Sequence, residues 1–213
     1  LKDDVDSQQM LADLEVANQG GVSFDADKYI NKFPAKKHDH FLIPAGTVHC
    51  SGTNAMVLEI SLSAYIFTFK LWDWDRLGLD GKPRPIHLEH GKKVIDWTRT
   101  TDWVADNLVN HFETITDEPT HKKENTGLYR TEQIQTERDW FTDYVDYENA
   151  TKTVSMLNLV EGESVVVESV ENTFDPYTVH YAETFIVPAH IEKFRIRNLN
   201  PDKKVAVLRA RIK

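Results

Sequence analysis

The residues that decide the fold are His40-Phe41-Leu42-Ile43-Pro44-Ala45-Gly46-Thr47-Val48-His49-Cys50. An apolar run enters Pro-Ala-Gly, and a lone histidine follows three residues after the glycine. Proline ends a strand's hydrogen-bond ladder and glycine lets the backbone reverse, so the stretch predicts a strand, a tight turn and a second strand. Because alternate side chains of a strand point to opposite faces, Val48 and Cys50 share one face and His49 lies on the other.

His49 has two interpretations on the residues alone. A histidine at the mouth of a barrel is a metal ligand in many proteins, because neutral imidazole binds zinc well. A single histidine in a strand is also commonly a hydrogen-bonded residue at the rim. The spacing alone leaves both interpretations open.

The sequence around His49 resembles the type I phosphomannose isomerases. Pro44-x-Gly46-x-x-His49 matches the second cupin motif, and the resemblance continues through residues 57–60, 68–76 and 79–90, covering roughly residues 38 to 97 in all. The resemblance implies a mainly β fold of cupin (jelly-roll, double-stranded β-helix) barrels with a few short connecting helices. It also implies a zinc-dependent aldose–ketose isomerase that interconverts mannose 6-phosphate and fructose 6-phosphate through a cis-enediol.

The metal site that this resemblance implies is only partly present in the sequence. The family uses four protein ligands, and His49 alone matches one of them. His38 and His40 stand directly before the predicted strand that enters Pro44. The family's first ligands do not lie at this place in the sequence, so a surface loop is the better interpretation for both histidines. The chain begins at Leu1 rather than Met, and we expect the other zinc ligands upstream of it. The chain alone is then expected to be an incomplete, inactive fragment.

Two further residues take catalytic roles from the resemblance. Lys70 occupies the position of the family's essential arginine and is predicted to stabilise negative charge, as a point charge rather than a planar fork. Glu59 is a candidate for shuttling a proton or orienting a hydroxyl group. Ile66 stands where many relatives carry an acidic residue. Lys82 and Arg84 have two interpretations: they attract a sugar phosphate, or they are ordinary charged residues of a solvated loop.

Composition narrows the functional classes. The chain has 213 residues, 40% of them hydrophobic, and a formal net charge of -9. A negative balance argues against binding to nucleic acid or an anionic membrane, since both require a basic surface. Any phosphate that the chain binds must therefore be held by a local cationic cluster, and the resemblance implies a small sugar phosphate as the partner. Cys50 is the sole cysteine and suits the cytoplasm. The oligomeric state is not predicted.

The first half of the chain carries helix and strand patterns. Asp6 or Ser7 is predicted to cap an amphipathic helix that Gly20-Gly21 ends, and Asp25 to Lys32 adds a short helical turn. Strands are predicted over residues 56–60, 65–71 and 72–76, the last with Trp72 and Trp74 on one face. Short helices are predicted over 85–95 and 102–112, and the polar residues 113–127 indicate an exposed linker.

The remainder predicts a second jelly-roll barrel built from eight strands. These cover residues 129–136, 140–147, 153–161, 164–170, 177–180, 183–187, 193–199 and 205–212. The run 185–190 repeats the pattern of a strand entering Pro-Ala, but Lys193 stands at the ligand position. This predicts a metal-free barrel with His180 and His190 at its rim. The predicted domains are thus 1–97, the later part of a catalytic barrel, 98–127, a helical connection and linker, and 128–213.

Two rival functions remain. The missing ligands, Lys70 in place of arginine and Ile66 in place of an acid favour a noncatalytic cupin that binds a sugar or serves as a regulatory module. A metal-dependent cupin oxygenase is weaker, because it needs a histidine-rich first motif as well.

Overall fold

The computed structural model describes residues 1–61, 68–126, 134–150 and 152–212. The chain divides into two compact units, Leu1–Asn110 and His111–Lys213. None of the helices in these ranges combines the length and the apolar composition that crossing a bilayer requires.

The second unit consists of two antiparallel sheets. One has the strand order β1-β2-β3-β10-β5-β8 and the other β4-β9-β6-β7. The strands are β1 Glu113–Asp117, β2 His121–Asn125, β3 Ile134–Phe141, β4 Tyr144–Glu148, β5 Ser155–Glu161, β6 Ser164–Ser169, β7 Tyr177–His180, β8 Thr184–Val187, β9 Lys193–Asn198 and β10 Val205–Ile212.

The strand order of β3 to β10 is that of a jelly roll. Successive strands lie in different sheets except for β6 and β7, which pair with each other. Eight strands arranged in this way form two interlocked Greek keys, the architecture found in cupins. The predicted mainly β, cupin-type fold is confirmed.

The core of the second unit lies between the two sheets. Strand β9 alternates, with Phe194 and Ile196 fully buried and Lys193 exposed. Leu157 and Leu159 of β5 face them from the other sheet in the same apolar cluster. This alternation is what a sheet with one face in the core requires.

Two predictions for the second unit are corrected. Residues 113–125, interpreted as part of an exposed linker, form the hairpin β1–β2 that extends the first sheet. Its charged side chains hid this pattern, because Glu124 is buried in an ion pair with Arg138 of β3. The first two predicted strands are also displaced, since the chain turns between β3 and β4 at residues 142–143. Residues 129–133 of the first one lie outside the described ranges.

The first unit is organised around helix α1, Ser7–Gln19, as the sequence predicts. The carboxylate of Asp6 caps it by accepting from the backbone N–H groups of Gln8 and Gln9 at 2.9 and 3.1 Å. Gly20 ends it with φ +90°. The buried face of the helix meets an apolar cluster that includes Phe24, Tyr29 and Leu88.

The described part of the first unit contains three shorter helical segments. They are a 3-10 helix at Ala26–Lys28, α2 at Leu88–Gly91 and α3 at Thr101–Leu108. The predicted turn after Asp25 is confirmed, whereas α2 and α3 are shorter than the predicted 85–95 and 102–112.

The strands predicted on either side of the turn within residues 40–50, over 56–60 and over 72–76 are wrong. In the described part of this region, Phe41 makes only an isolated bridge with Val109. Met56 and Val57 are 77% and 64% exposed, because no described strand lies beside them. Trp74 and Asp75 take left-handed backbone angles, so residues 72–76 form a turn, although the rings of Trp72 and Trp74 do approach to 4.5 Å. Most of the predicted strand 65–71 lies outside the described residues.

Leu157→Ala tests the jelly-roll core. Leu157 is fully buried, so its truncation is expected to lower the free energy of unfolding by about 2–5 kcal/mol. Ile186→Ala is the matched control on the neighbouring strand β8, where Ile186 is 62% exposed and a change within about 0.5 kcal/mol is expected. Urea unfolding followed at the amide signals of β5 measures both, and equal losses would contradict the assigned core.

Asp13 makes the first unit sensitive to acid. Its carboxylate accepts hydrogen bonds from the Tyr29 hydroxyl, from Lys28 Nζ at 3.0 Å and from Gln9 Nε2 at 2.7 Å. These contacts, the Tyr29 bond first, lower the pKa of Asp13 from 3.8 to about 2. A carboxyl whose pKa is lower in the folded state stabilises the fold above its unfolded pKa, and that contribution is lost as the pH falls.

We therefore expect Asp13→Asn to lower stability at neutral pH and to reduce the loss of stability between pH values of about 3.8 and about 2. Acid unfolding followed at the amide signals of α1 measures this. Asp25→Asn is the control, because Asp25 caps the 3-10 helix without a side-chain hydrogen bond. An unchanged acid transition in Asp13→Asn would show that its hydrogen bonds do not affect folding.

Candidate functional site

The Pro44–Thr47 turn exists as predicted, although the flanking strands do not. The backbone N–H of Thr47 donates to the carbonyl oxygen of Pro44 at 3.1 Å. Gly46 has φ +89°, and a Cβ atom there would lie 2.6 Å from the carbonyl oxygen of Val94. Both the left-handed backbone and this close approach require glycine.

His49 follows this turn with its ring exposed and locally oriented. Its Nδ1 lies 2.8 Å from the carbonyl oxygen of Thr47. A carbonyl oxygen only accepts, so the geometry assigns a proton to Nδ1, and in the neutral ring the lone pair is then on Nε2. Metal-binding histidines commonly hold their second nitrogen in this way. The local geometry therefore fits one metal ligand.

A complete zinc site does not form from the described residues. In those ranges, no group of three or more His, Cys, Asp and Glu side chains is arranged to hold a metal ion. His38 has a left-handed backbone at φ +73°, and the backbone N–H of His40 donates to Asn110 Oδ1 at 2.7 Å. Zinc needs three or four protein donors, so His49 alone does not fit the metal as a site.

The two predicted catalytic residues lie in different surroundings. Glu59 is exposed. Lys70 is half-buried, with its Nζ 3.5 Å from Asp73 Oδ1, while its backbone N–H donates to His87 Nδ1 at 3.2 Å. Among the described residues, no hydrogen bond or ion pair joins His49, Glu59 and Lys70. Ile66 lies outside the described residues.

Basic side chains form a cationic cluster around Asp73. The sequence predicted Lys70 and Arg84 as possible binding residues but not that they meet at Asp73. Asp73 is 6% exposed, and its Oδ1 contacts both Lys70 Nζ and Arg76 Nη2. Its Oδ2 lies 3.1 Å from Arg84 Nη1. The sequence leaves open whether Asp73 or Asp75 pairs with Arg76, and the structure pairs Arg76 with Asp73. Asp75 instead accepts from Trp72 Nε1 at 2.7 Å.

A small hairpin brings Arg84 to this cluster. Leu77 and Pro83 form an isolated antiparallel bridge, and the Arg84 N–H donates to the carbonyl oxygen of Arg76 at 3.0 Å. The Gly78 N–H donates to the Lys82 carbonyl oxygen at 2.7 Å, which closes the predicted turn-rich loop. Lys82 itself is exposed.

The charges of the cluster do not cancel. The hydrogen bond from Arg76, with the nearby charges of Arg84 and Lys70, lowers the pKa of Asp73. Asp73 is therefore ionised at neutral pH, yet one carboxylate faces three cations. The Lys70, Arg76 and Arg84 side chains are 37%, 59% and 46% exposed, so they remain accessible. The cluster can accept a further anion.

The repeated motif of the second unit carries different side chains. The Ile191 N–H donates to the Pro188 carbonyl oxygen at 3.1 Å, a turn like that at Pro44. Lys193 begins β9 with its side chain exposed, and His180 and His190 are exposed too. His180 Nδ1 lies 3.4 Å from Glu183 Oε2. That this unit binds no metal stays a prediction.

Fold and site together define a mainly β protein with a cupin-type jelly roll and, in its first unit, a solvent-accessible cationic cluster. No protein-family model matches the chain. Curated proteins do: the chain is 35% identical over 71 residues to the mannose-6-phosphate isomerase of Streptococcus mutans, and 34% over 70 residues to ManA, the mannose-6-phosphate isomerase of Bacillus subtilis. Each alignment covers 33% of this chain and 22% of the relative.

A solved structure of a protein with the same name is also similar to this chain. The mannose 6-phosphate isomerase of Bacillus subtilis superposes with a TM-score of 0.48 and 13% identity, over 67% of this chain and 39% of that one. The chain is thus a sequence relative of mannose-6-phosphate isomerases, as its motifs predicted, and matches them over about a fifth of their length.

Asp73→Asn tests the anchoring of the cationic cluster. Removing the negative charge leaves three cations without their shared partner, so the first unit is expected to lose about 1–3 kcal/mol of stability. Asp146→Asn on β4 is the matched control, because Asp146 is 51% exposed and pairs with a single arginine, Arg195. Its loss is expected to stay within about 1 kcal/mol. Urea unfolding measures both, and equal losses would mean that Asp73 acts as an ordinary surface pair.

Proposed function

We propose that the protein acts in the isomerisation of mannose 6-phosphate and fructose 6-phosphate, with the first unit contributing the residues that bind the phosphorylated sugar. The observation that supports this is the cluster of Lys70, Arg76 and Arg84 around Asp73. It lies within the stretch whose sequence resembles the isomerases, and it is a local excess of positive charge in a chain of net charge -9.

The cluster suits a phosphate group. A phosphate dianion compensates the excess charge that Asp73 leaves, and the planar guanidinium groups of Arg76 and Arg84 can each donate two parallel hydrogen bonds to it. Lys70, the third cation around Asp73, is proposed to act at the reacting carbons instead, because the phosphate on C6 is several bonds away from them. Because the three side chains are partly exposed, the ligand does not have to break the buried contacts of Asp73 to reach them.

Two residues are proposed to act on the sugar itself. The exposed Glu59 carboxylate accepts a proton from one carbon of the open-chain sugar and returns it to the neighbouring carbon, or orients a hydroxyl group. The Lys70 ammonium stabilises the negative charge that develops on the adjacent oxygen. Lysine does this without the bidentate contact of the arginine that relatives carry.

His49 is proposed to bind zinc through Nε2 as one ligand of the site. Three or four donors are needed, so the other ligands have to come from outside the described residues. Free Cys50 is consistent with the proposed cytoplasmic location.

The second candidate is a noncatalytic cupin that binds a sugar or serves as a regulatory module, and mannose 6-phosphate is the sugar that we propose for it. The lack of a three-ligand group within the described ranges favours it. Both candidates bind mannose 6-phosphate, and only the first converts it.

Arg84→Gln tests the phosphate contact. It removes one charge-assisted contact and is expected to weaken binding of mannose 6-phosphate about tenfold to a hundredfold, while leaving any binding of unphosphorylated mannose unchanged. Isothermal titration measures the affinity, and a coupled assay for fructose 6-phosphate measures turnover. Arg195→Gln is the control, since Arg195 pairs with Asp146 on the second unit.

The outcomes separate the candidates. Binding with turnover supports the isomerase, and binding without turnover supports the noncatalytic module. Equal affinity in the wild type and Arg84→Gln contradicts the phosphate contact. A wild-type chain that does not bind mannose 6-phosphate contradicts both functions for this chain.

A further inference from the structure

Arg99 is the most heavily engaged side chain near the His49 turn. Its Nη1 donates to the carbonyl oxygens of Pro44 and Ala45, each at 2.8 Å, and to Thr47 Oγ1. The side chain is 12% exposed. Two N–H groups on one nitrogen are thus shared among three oxygens of a single turn.

Asp96 contacts both this turn and Arg99. Its backbone N–H donates to the Gly46 carbonyl oxygen at 2.9 Å, and its Oδ2 lies 3.1 Å from Arg99 Nε. Its Oδ1 accepts from the Thr98 N–H at 3.1 Å and from the Thr98 hydroxyl at 2.6 Å. Three consecutive carbonyl groups, those of residues 44 to 46, therefore bind to the segment 96–99.

This arrangement has a physical reason. The chain around Pro44 has the sequence of a strand and turn, yet its carbonyl groups find no described strand beside them. Carbonyl groups that pair with no strand still need donors, which Arg99 supplies to Pro44 and Ala45 and the Asp96 N–H supplies to Gly46. The segment that carries Arg99 leads directly into helix α3, which begins at Thr101 and gives it a fixed base.

We propose that Arg99 is a positioning residue for His49. By holding the turn through Thr47, it places the Thr47 carbonyl oxygen where it accepts the Nδ1 proton of His49, which directs the Nε2 lone pair outward. Arg99 itself touches neither a metal nor a sugar in this arrangement. The purpose of this positioning rests on the proposed role of His49 as a ligand. That Arg99 fixes the position of the Nδ1 proton of His49 does not depend on that role.

Arginine is required for this task rather than a generic cation. The guanidinium donates from Nη1 to the turn, and its Nε lies 3.1 Å from Asp96 Oδ2 in an ion pair, two contacts that lie in different directions. A lysine has a single terminal nitrogen and cannot satisfy both. Arg99→Lys is therefore expected to restore part of the function that Arg99→Gln removes.

The tautomer of His49 is the measurement that tests this. Long-range proton–nitrogen spectra, recorded at a pH of about 8, above the ordinary histidine pKa of about 6.5, show which imidazole nitrogen carries the proton. The wild type is expected to show His49 protonated on Nδ1. In Arg99→Gln that preference is expected to be lost, with both nitrogens moving toward the averaged shifts of an exposed histidine.

The controls separate positioning from folding. Arg195→Gln removes a paired arginine of the second unit and is expected to leave the His49 shifts unchanged. Arg99→Lys and Thr47→Val, which deletes one acceptor of Arg99 but keeps the carbonyl group, are expected to show intermediate shifts. Backbone amide spectra establish that each variant is folded, and if Arg99→Gln does not fold these two variants decide the question.

The result that overturns the inference is a His49 still protonated on Nδ1 in the folded Arg99 and Thr47 variants, or one altered equally by Arg195→Gln. Adding zinc ions to the wild type tests the proposed function separately. If zinc leaves the His49 nitrogen shifts unchanged, His49 is not a ligand in this chain, and the tautomer still reports whether Arg99 positions it.

Discussion

The hydrogen-bonding needs of the backbone shape both units of this protein. Every buried N–H and C=O group needs a partner, and the units meet this need in different ways. In the second unit, strand pairs join β3 to β10 into two sheets. In the first, extended segments depend on loops and side chains: Asn110 and His40 exchange hydrogen bonds, and the Leu42 N–H donates to the Leu108 carbonyl oxygen at 2.9 Å.

This contrast explains which parts of the fold could be predicted from the sequence. Helix α1 was predictable because its start, stop and buried face are local signals: a capping aspartate, a glycine after the last turn and apolar residues at helical spacing. The later strands were predictable for the same reason, since alternation in β9 reflects one buried face. Their register and sheet order are not local, and they follow from packing of the two sheets.

The errors arise where a residue's environment depends on a distant partner. Strand β2, His-Lys-Lys-Glu-Asn, resembles a solvated linker until Arg138 is placed beside Glu124 with Nε at 3.0 Å and Nη2 at 2.8 Å. The opposite error occurs at residues 56–60, where apolar residues predict a strand but no described neighbour pairs with them. A strand pattern in a sequence indicates a preference for extended backbone, and the strand forms only when a second strand pairs with it.

The candidate site shows the same division. Lys70, Asp73 and Arg76 are spaced by three, so their proximity follows from the sequence once a turn is assumed. Arg84 joins them only through the hairpin, and Arg99 reaches Pro44 across 55 positions of sequence. The resemblance to isomerases named Lys70, Glu59 and His49 as site residues, but it gave no reason to consider Asp73 or Arg99. Both are structural partners whose function is to hold other groups in place.

The balance of charge indicates which unit is suited to bind a ligand. In the second unit, the buried Asp139 accepts from Tyr147 Oη at 3.0 Å and lies 2.8 Å from His121 Nε2, while Arg209 donates to Ser155 Oγ and to the Glu148 carbonyl oxygen.

Burial raises the pKa of Tyr147, with the Asp139 charge adding to the effect, and burial lowers that of Arg209. These polar groups already have hydrogen-bond partners within the second unit, so a ligand would have to displace existing bonds at a cost in free energy. At Asp73 of the first unit, three partly exposed cations share one carboxylate, and an added anion completes the balance instead of disrupting it. The first unit is therefore the one suited to binding an anion, and the polar groups inside the second unit are suited to stabilising its fold.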